Sequence, residues 1–255
     1  MYRNITAEQY KKHLQLAEDY KVDGVLCYGT LYEEKTIAIL ETCLSEMNLK
    51  VGINTLSHPF LRFIREIQVN DKKLWFMIGY GGAWLSEYLH WACLFGSNNN
   101  ILVGSCGGLK KGMKPGDFII PTSSYGQESS VRIYNREDPI QYTDKDLSVE
   151  LVSKIEDEYI KVWRGPTVTC QAMIGETLED IENWSNDGYY GVEMEASTVI
   201  AVSNHFGVPS AVSLYVGDNL IEQHNNLSEE YANEADMREQ NQKKQIKAAL
   251  ELLLD

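Results

Sequence analysis

The sequence is poor in cysteine and proline and lacks any long uninterrupted apolar run. It has 255 residues, of which five are cysteine and six are proline. The cysteines are scattered and none forms a CxxC pair, so the pattern indicates neither a zinc site nor a disulfide framework. The lack of a long apolar run argues against a transmembrane helix, and the first twenty residues are too polar for a signal peptide. A reduced protein in the cytoplasm is the simplest interpretation.

Positive charge is also scarce. Lys and Arg total 23 against 37 Asp and Glu, which gives a formal net charge of −14 at pH 7. The long-range field of such a chain repels polyanions, so neither nucleic acid nor an anionic membrane is an expected partner. The charge is compatible with a small anionic substrate that a few local donors hold. The five histidines show no metal-ligand spacing, so no metal site is predicted.

Apolar runs alternate with helix-like stretches along the chain, and no proline- or glycine-rich linker divides it. We predict strands over 22–29, 74–82, 100–108, 116–126, 167–176, 190–195 and 210–218, and helices over 6–20, 34–47, 83–96, 196–207 and 232–254. Strands that lead through a glycine turn into a helix favour an α/β sheet covered by helices. We predict a single domain over 1–255.

Four predicted strand ends carry small or polar residues. In α/β sheets, ligands bind beyond the carboxyl ends of the strands, so these ends are the first candidates for a site. They hold Gly29 with Glu33 and Glu34, the turn at 104–108, the pair Glu193 and Glu195, and Asp218.

Each of these features also has a purely structural interpretation. Asp218 could cap a helix, the acidic pair at 193 and 195 could form a solvated edge, and the glycines at 104–108 could serve a tight turn. Glu33 and Glu34 could be the exposed first turn of a helix, where acidic residues suit the helix dipole.

Taken together, several stretches resemble the nucleoside phosphorylase superfamily. The similar stretches are "GVEMEAS" at 191–197, "VGSCGGLKKGMKPGDFIIP" at 103–121, "SLYVGDNL" at 213–220, "YGTLYEEKTIAILETCL" at 28–44 and "MREQNQKKQIKAALELLL" at 237–254. The resemblance runs from about Val22 to the end and is strongest to the hexameric purine nucleoside phosphorylases. It implies a three-layer α/β sandwich in which helices cover a central mixed, partly barrel-like sheet.

The resemblance implies cleavage of the N-glycosidic bond of a nucleoside. Glu195 would hold the 2′- and 3′-hydroxyls of the ribose, and Met194 would pack under the sugar. A carboxylate bound to sugar hydroxyls can stabilise the positive charge that develops on the sugar, as in glycosidases. The other residues that would line the base and ribose pocket are Ser105, Cys106, Gly107, Val192 and Glu193.

The base would be held by residues farther along the chain. By resemblance, Met173 occupies the place beside the base where the relatives have an aromatic ring. Asp218 would protonate or hydrogen-bond N7 of a purine, which requires that burial raise its pKa. Arg238 would approach Asp218 and assist the delivery of that proton. Pyrimidine-specific relatives do not carry this aspartate, so Asp218 favours a purine nucleoside as the small-molecule partner.

The phosphate side of the site departs from the phosphorylase pattern. Phosphorylases of this type hold phosphate with arginines, whose fork of donors suits a tetrahedral anion. Leu102 and Glu33 stand at two of those arginine positions. Gly29 and Ser105 are retained, so we expect them, with Glu33, at a phosphate or water site.

The related methylthioadenosine and S-adenosylhomocysteine nucleosidases offer a second template. They also lack those arginines, and their first turn carries the pattern seen here as Gly29, Glu33 and Glu34. We therefore predict a purine nucleosidase in which Glu34 is the general base for water. The match is incomplete, because Leu214 replaces an arginine of those nucleosidases.

Two alternatives stay open. The first is phosphorolysis, with inorganic phosphate as co-substrate and with other donors, such as Arg62 or Arg65 of a neighbouring subunit, in place of the missing arginines. The second is a member of the family that binds a nucleoside without turning it over. No other cofactor is implied. The resemblance further implies self-association as a dimer or hexamer, and we predict that the acidic segment at 222–236 is a flap or a solvated face.

Overall fold

The computed structural model describes residues 2–49, 51–126, 130–156, 158–222 and 235–255. The helices within these ranges are α1 (Ala7–His13), α2 (Glu33–Glu46), α3 (Gly82–Leu94), α4 (Val131–Tyr134), α5 (Lys145–Ile155), α6 (Leu178–Asn186), α7 (Ala196–Phe206) and α8 (Ala235–Leu254). The strands are β1 (Gly24–Gly29), β2 (Val51–Thr55), β3 (Ile64–Val69), β4 (Lys72–Gly79), β5 (Asn100–Gly108), β6 (Phe118–Tyr125), β7 (Ile140–Tyr142), β8 (Val162–Thr169), β9 (Gly191–Glu193) and β10 (Ser210–Asn219).

The ten strands form one mixed sheet that closes on itself over half its width. The strand order is β10-β6-β8-β9-β5-β1-β4-β3-β2, with β7 beside β6. A further parallel pairing of β10 with β5 closes five of the strands into a barrel. The parallel strands β4 and β1 extend the sheet from β5, and the antiparallel β3 and β2 end it. These pairings confirm the predicted mixed, partly barrel-like sheet.

Helices pack on both faces of the sheet, and each face has its own apolar core. Helices α3 and α7 cover one face, where α1 adds partly buried side chains. Helices α2, α5 and α8 cover the other face. The buried residues that these helices supply include Leu85, Leu89, Val199 and Ile200 on the first face and Ile39, Leu40, Leu147, Leu151, Ile246 and Leu250 on the second. The expected three-layer α/β architecture is therefore confirmed, whereas the single domain over 1–255 stays a prediction.

The first helix is shorter than the sequence pattern suggests. Thr6 caps α1, and its side chain and that of Gln9 form a reciprocal capping box. The helix nevertheless ends at His13, well before residue 20. Gln15 has a φ of 58°, in the left-handed region, where a right-handed helix cannot continue.

The predicted strand over 167–176 is wrong in its second half. Strand β8 ends at Thr169, and Met173–Gly175 form a short 3₁₀ helix. Thr177 then caps α6 through a capping box with Asp180. This cap commits the chain to a helix that the apolar pattern alone did not reveal.

Several elements were not predicted at all. They are β2 and β3, which form a hairpin extension of the sheet, and α4, β7 and α5 between β6 and β8. Strand β2 is partly exposed along its whole length, so its sequence lacks the buried apolar run by which the other strands were predicted. Of the predicted acidic flap at 222–236, residues 223–234 lie outside the described residues.

Candidate active site

A cavity of about 270 Å³ lies where β1, β5, β9 and β10 come together. It brings together residues from six separate parts of the chain, among them the four strand ends that the sequence pattern indicated. The predicted site residues that line it are Gly29, Ser105, Cys106, Gly107, Met173, Val192, Glu193, Met194, Glu195 and Asp218. We call it the acidic cavity, because its described lining holds four carboxyl groups and no lysine, arginine or histidine.

Glu195 is buried at the start of α7, with its carboxyl group against two glycines. The backbone N–H of Gly81 donates to Oε1 of Glu195 over 2.6 Å. A methyl group built on Gly29 would lie 2.5 Å from Oε2, so only glycine leaves room for this carboxyl group. Gly81 has a φ of 84°, which also favours glycine. Burial, with the nearby charge of Glu193 as a second cause, raises the pKa of Glu195 to about 8.

Glu193 ends β9 and anchors the turn that presents Glu195. Its Oε2 accepts the backbone N–H groups of Glu195 and Ala196 over 2.6 and 2.5 Å. Its Oε1 accepts the hydroxyl of Thr169 over 2.5 Å and that of Ser124 over 3.5 Å. Burial raises the pKa of Glu193, while these four donors oppose the rise. Both oxygens are thus occupied within the protein, so Glu193 fixes the start of α7 as well as lining the cavity.

Asp218 enters the cavity from the last strand of the barrel. The pairing of β10 with β5 is irregular between Val216 and Asp218. Such a bulge re-aims the side chains that follow it, and Gly217 and Asp218 both line the cavity. The charge of Asp218 contributes to the raised pKa values of Cys106 and Glu176, so these three groups lie close enough to interact electrostatically.

Glu176 is a lining residue that the sequence analysis missed. It follows the 3₁₀ helix at Met173–Gly175 and precedes the cap of α6. Burial is the main cause that raises the pKa of Glu176 to about 7, and the charges of Asp218 and Asp180 raise it further. No sequence signal marked this residue, because it was assigned to the end of a strand over 167–176 and not to a segment that lines a cavity.

The remaining wall of the acidic cavity is apolar or small. Met173 is partly exposed and lies at the mouth beside Ile174. Gly107 allows close packing, since a methyl group there would meet Leu220 at 2.5 Å. Burial holds the pKa of the Cys106 thiol well above its usual range, so the thiol stays protonated and is a poor nucleophile.

A second cavity of about 290 Å³ lies on the other side of Gly29 and Ser105, which line both cavities. We call it the basic cavity, because its described lining contains Lys35 and Arg238 and no carboxyl group. Arg238 lines this cavity and is not in the described lining of the acidic cavity, and its approach to Asp218 stays a prediction. The neutral polar side chains that line it include Tyr28, Thr30, Thr36 and Gln242.

The two acidic residues at the start of α2 lie away from the acidic cavity. Glu34 is exposed, and it lines neither cavity. Glu33 forms a short ion pair with Arg65 of the same chain, and it lines a shallow surface pocket beside Tyr80 and Trp84.

The positions that carry arginines in relatives are apolar and buried here. Leu102 and Leu214 are both 1% exposed and belong to the core on the α3 and α7 side of the sheet. Of the arginines considered as replacements, Arg62 stacks on the ring of Phe63 at 4.4 Å and Arg65 is engaged by Glu33.

Within the described ranges, no group of three or more His, Cys, Asp or Glu side chains is arranged to hold a metal ion. Among the helices in those ranges, none combines the length and the apolar character needed to cross a membrane.

Relatives with curated names match about half of the chain. A guanosine phosphorylase from Halorubrum lacusprofundi is 30% identical over 118 residues, which are 46% of this chain and 49% of that protein. A 5′-methylthioadenosine/S-adenosylhomocysteine nucleosidase from Exiguobacterium sp. is 29% identical over 140 residues, or 51% of this chain and 60% of that protein. The chain thus spans about half the length of the curated relatives it matches.

Solved structures share the fold over nearly the whole chain. A uridine phosphorylase from Vibrio fischeri, crystallised with 6-hydroxy-1-naphthoic acid, has a TM-score of 0.77 and 18% identity and covers 99% of this chain and 98% of its own. At this identity the likeness concerns the fold alone.

A sequence profile described as "Phosphorylase superfamily" matches residues 70–253. This match covers most of the chain and includes β5, β9, β10 and α8, so the protein belongs to the phosphorylase superfamily.

Proposed function

We propose that the protein cleaves the N-glycosidic bond of purine nucleosides and releases the free base. The observation that carries this proposal is the meeting of Glu195 and Asp218 in one cavity large enough for a small ligand. Glu195 comes from the start of α7 and Asp218 from the end of β10, so one carboxyl group can serve the sugar while the other serves the base.

The bond that breaks joins C1′ of the sugar to the ring nitrogen of the base. Its electron pair leaves with the base, and Asp218 compensates by donating a proton or a hydrogen bond at N7. The sugar becomes cationic, and Glu195, bound to the ribose hydroxyls, stabilises that charge. Glu193 holds Glu195 in position through the turn that it anchors. An acceptor then adds to C1′ and completes the reaction.

A purine base is supported by Asp218 and by the relative named guanosine phosphorylase. The uridine phosphorylases among the solved structures are under 20% identical to this chain, so the likeness concerns the fold and not the base. The soft side chain of Met173 suits a planar base without the stacking that an aromatic ring would give.

Water and phosphate are the two candidate acceptors. Water is the acceptor predicted from the sequence, because Leu102 and Glu33 replace phosphate-binding arginines. Glu34, the residue predicted to activate that water, is exposed and lies outside the acidic cavity's lining, so the geometry adds no support for this role. Phosphate is favoured by a specific observation, the basic cavity that adjoins the acidic one at Gly29 and Ser105.

One assay tests the proposal. Full-length protein is incubated with guanosine, inosine, adenosine, methylthioadenosine and uridine, with and without phosphate, and the free base and sugar product are quantified. We expect base release from at least one purine nucleoside and little from uridine. Free ribose formed equally well without phosphate would indicate hydrolysis, whereas ribose 1-phosphate would indicate phosphorolysis. Tight nucleoside binding with no turnover would contradict the proposal.

A further inference from the structure

We infer that Glu176 is a specificity-determining residue that recognises the group at C6 of the purine ring. A 6-oxopurine presents a carbonyl oxygen there, which accepts a hydrogen bond, whereas a 6-aminopurine presents an amino group, which donates one. The inference deepens the proposed function and rests on it for the ligand, because it takes the occupant of the acidic cavity to be a purine nucleoside. It assigns a role to a residue that neither the predicted strand ends nor the family stretches marked.

The position of Glu176 in the wall of the acidic cavity is the first support. Glu176 follows the 3₁₀ helix at Met173–Gly175 and lines the cavity together with Asp218. It also lines a neighbouring cavity of about 410 Å³ together with Cys170, so it lies between the two cavities. The charge of Asp218 acts on the carboxyl group of Glu176. Glu176 therefore lies on the side of the acidic cavity where the proposed function places the base.

The hydrogen bonds of the four carboxyl groups in the acidic cavity are the second support. Glu193 has both oxygens occupied by four donors of the protein. Glu195 and Asp218 have roles at the sugar and at the leaving base in the proposed function. Glu176 interacts with the thiol of Cys170, which is only a weak donor. Its carboxyl group therefore keeps hydrogen-bonding capacity for a ligand, and it is the fourth carboxyl group available to the base or the sugar.

The surroundings of Glu176 allow both of its protonation states near neutral pH. Burial is the main cause that raises its pKa to about 7. No lysine, arginine or histidine is in the described lining of either cavity that it borders, so no cation in those walls holds the carboxyl group ionised. The titratable groups around it are Tyr80, Cys170, Asp180 and Asp218 and, in the lining of the acidic cavity, Glu193 and Glu195.

The protonation state of Glu176 decides which purine it favours. A protonated carboxyl group donates its O–H to O6 of a 6-oxopurine, whereas an ionised carboxylate only accepts hydrogen bonds and repels that oxygen. The ionised form accepts an N–H of a 6-amino group instead. The donor also aids the reaction of a 6-oxopurine, because part of the negative charge that leaves with the base develops on O6. Glu176 thus favours inosine and guanosine while it is protonated, and adenosine gains on them as the pH rises.

The test compares inosine with adenosine between about pH 5.5 and 8. For each nucleoside, kcat/KM is measured with full-length wild type, Glu176→Gln and Glu179→Gln, the last being a control at an exposed carboxyl group that lines neither cavity. We expect the ratio of inosine to adenosine to fall roughly tenfold over this range in wild type and control, because groups that act on both substrates cancel in the ratio. In Glu176→Gln the ratio should stay constant, since an amide donates and accepts at every pH.

A second measurement does not depend on turnover. The free bases hypoxanthine and adenine are titrated by calorimetry into the same proteins over the same pH range. Hypoxanthine should bind wild type and control more tightly at the acidic end, and this dependence should be absent in Glu176→Gln. Glu176→Ala, which has neither donor nor acceptor, should lose the preference for hypoxanthine that Glu176→Gln keeps. Thermal unfolding of each variant checks that the chain still folds.

The inference and the proposed function can fail separately. A wild-type ratio that does not change with pH, or a ratio that changes equally in Glu176→Gln, would overturn the role of Glu176 even if purine nucleosides were cleaved. Hypoxanthine binding that depends on pH through Glu176, in a protein that cleaves no nucleoside, would uphold the role and contradict the proposed function. The absence of both cleavage and base binding in the wild type would overturn both.

Discussion

The acidic and basic cavities are separated by the same two residues, Gly29 and Ser105, and differ in almost every other respect. The acidic cavity draws its carboxyl groups from β9, β10 and the segment before α6. The basic cavity draws its cations from α2 and α8, on the other face of the sheet. One sheet edge therefore presents electrostatic fields of opposite sign on the two sides of a glycine and a serine.

The difference also appears in the protonation of the acidic cavity. Its carboxyl groups lie close together and partly out of water, so the pKa values of Glu176 and Glu195 rise to about 7 and about 8. Glu176 and Glu195 therefore titrate near neutral pH, where small changes in their surroundings decide whether each accepts or donates a hydrogen bond.

The largest expected effect comes from removing the sugar-binding carboxyl group. Glu195→Gln should lower kcat/KM for purine nucleosides by roughly a thousandfold, because the developing charge on the sugar loses its partner. Steady-state kinetics measure this loss, and Glu179→Gln, an exposed carboxyl group on α6, is the control. Near wild-type turnover by Glu195→Gln would contradict the sugar-binding role of Glu195.

Replacing the base-side carboxyl group should give the next largest effect. Asp218→Ala should lower kcat by roughly a hundredfold or more while KM changes little, as expected for a general acid. The comparison of kcat with KM is the decisive measurement. An equal loss in both would instead assign Asp218 to recognition of the base.

The acidic cavity should also make stability depend on pH. The pKa values of Glu176 and Glu195 are higher in the folded chain than their ordinary value of 4.5. Protonation of these groups therefore favours the folded state, and this contribution to the free energy of unfolding is fully present below pH 4.5. It is lost as the pH rises through about 7 and 8. Glu176→Gln should remove about 1 kcal/mol of this loss, a reduced figure because the side chain is only half-buried. Urea unfolding between pH 5 and 8.5 measures it, and parallel curves for variant and wild type would contradict it.

The smallest expected effect sharpens the account of the basic cavity. Tyr28→Phe should change the free energy of unfolding by less than about 0.5 kcal/mol, because the buried hydroxyl forms only a weak hydrogen bond, with the side chain of Gln242.

Tyr20→Phe is the matched control for a buried tyrosine hydroxyl. That hydroxyl donates to Glu66 and accepts the indole N–H of Trp75 over 2.8 Å, so its loss should cost about 1–3 kcal/mol. Equal costs for the two variants in chemical denaturation would show that the hydroxyl of Tyr28 is bonded as firmly as that of Tyr20.

The residues that could be predicted from sequence lie where regular elements end. Glu195 and Asp218 were found because each follows a recognisable strand and matches a family stretch. The structure brings both to one cavity across the closed side of the barrel. The strand and helix order around them was predictable for the same reason, since buried strands leave a clear apolar signature.

The residues that could not be predicted depend on tertiary placement. Glu176 lies in a segment whose apolar pattern resembles a strand, and only the cap at Thr177 turns the chain into α6. Lys35 and Arg238 are 203 positions apart in numbering and meet because α2 and α8 pack on the same face. Glu34 matches the nucleosidase spacing, but its side chain is exposed, so its role as a general base stays a prediction that the geometry does not support.

The closure of the barrel bears on how the protein folds. Strand β10 pairs with β5 in a register that sets Tyr215 beside Ser105, and the thiol of Cys106 donates to the carbonyl oxygen of Tyr215, 109 residues away in the chain. Contacts this distant raise the contact order and slow folding, because a long loop must close before the pairing can stabilise anything. During synthesis the acidic cavity needs β10 and the basic cavity needs both β10 and α8. Both cavities, with their opposite charges, are therefore completed only at a late stage.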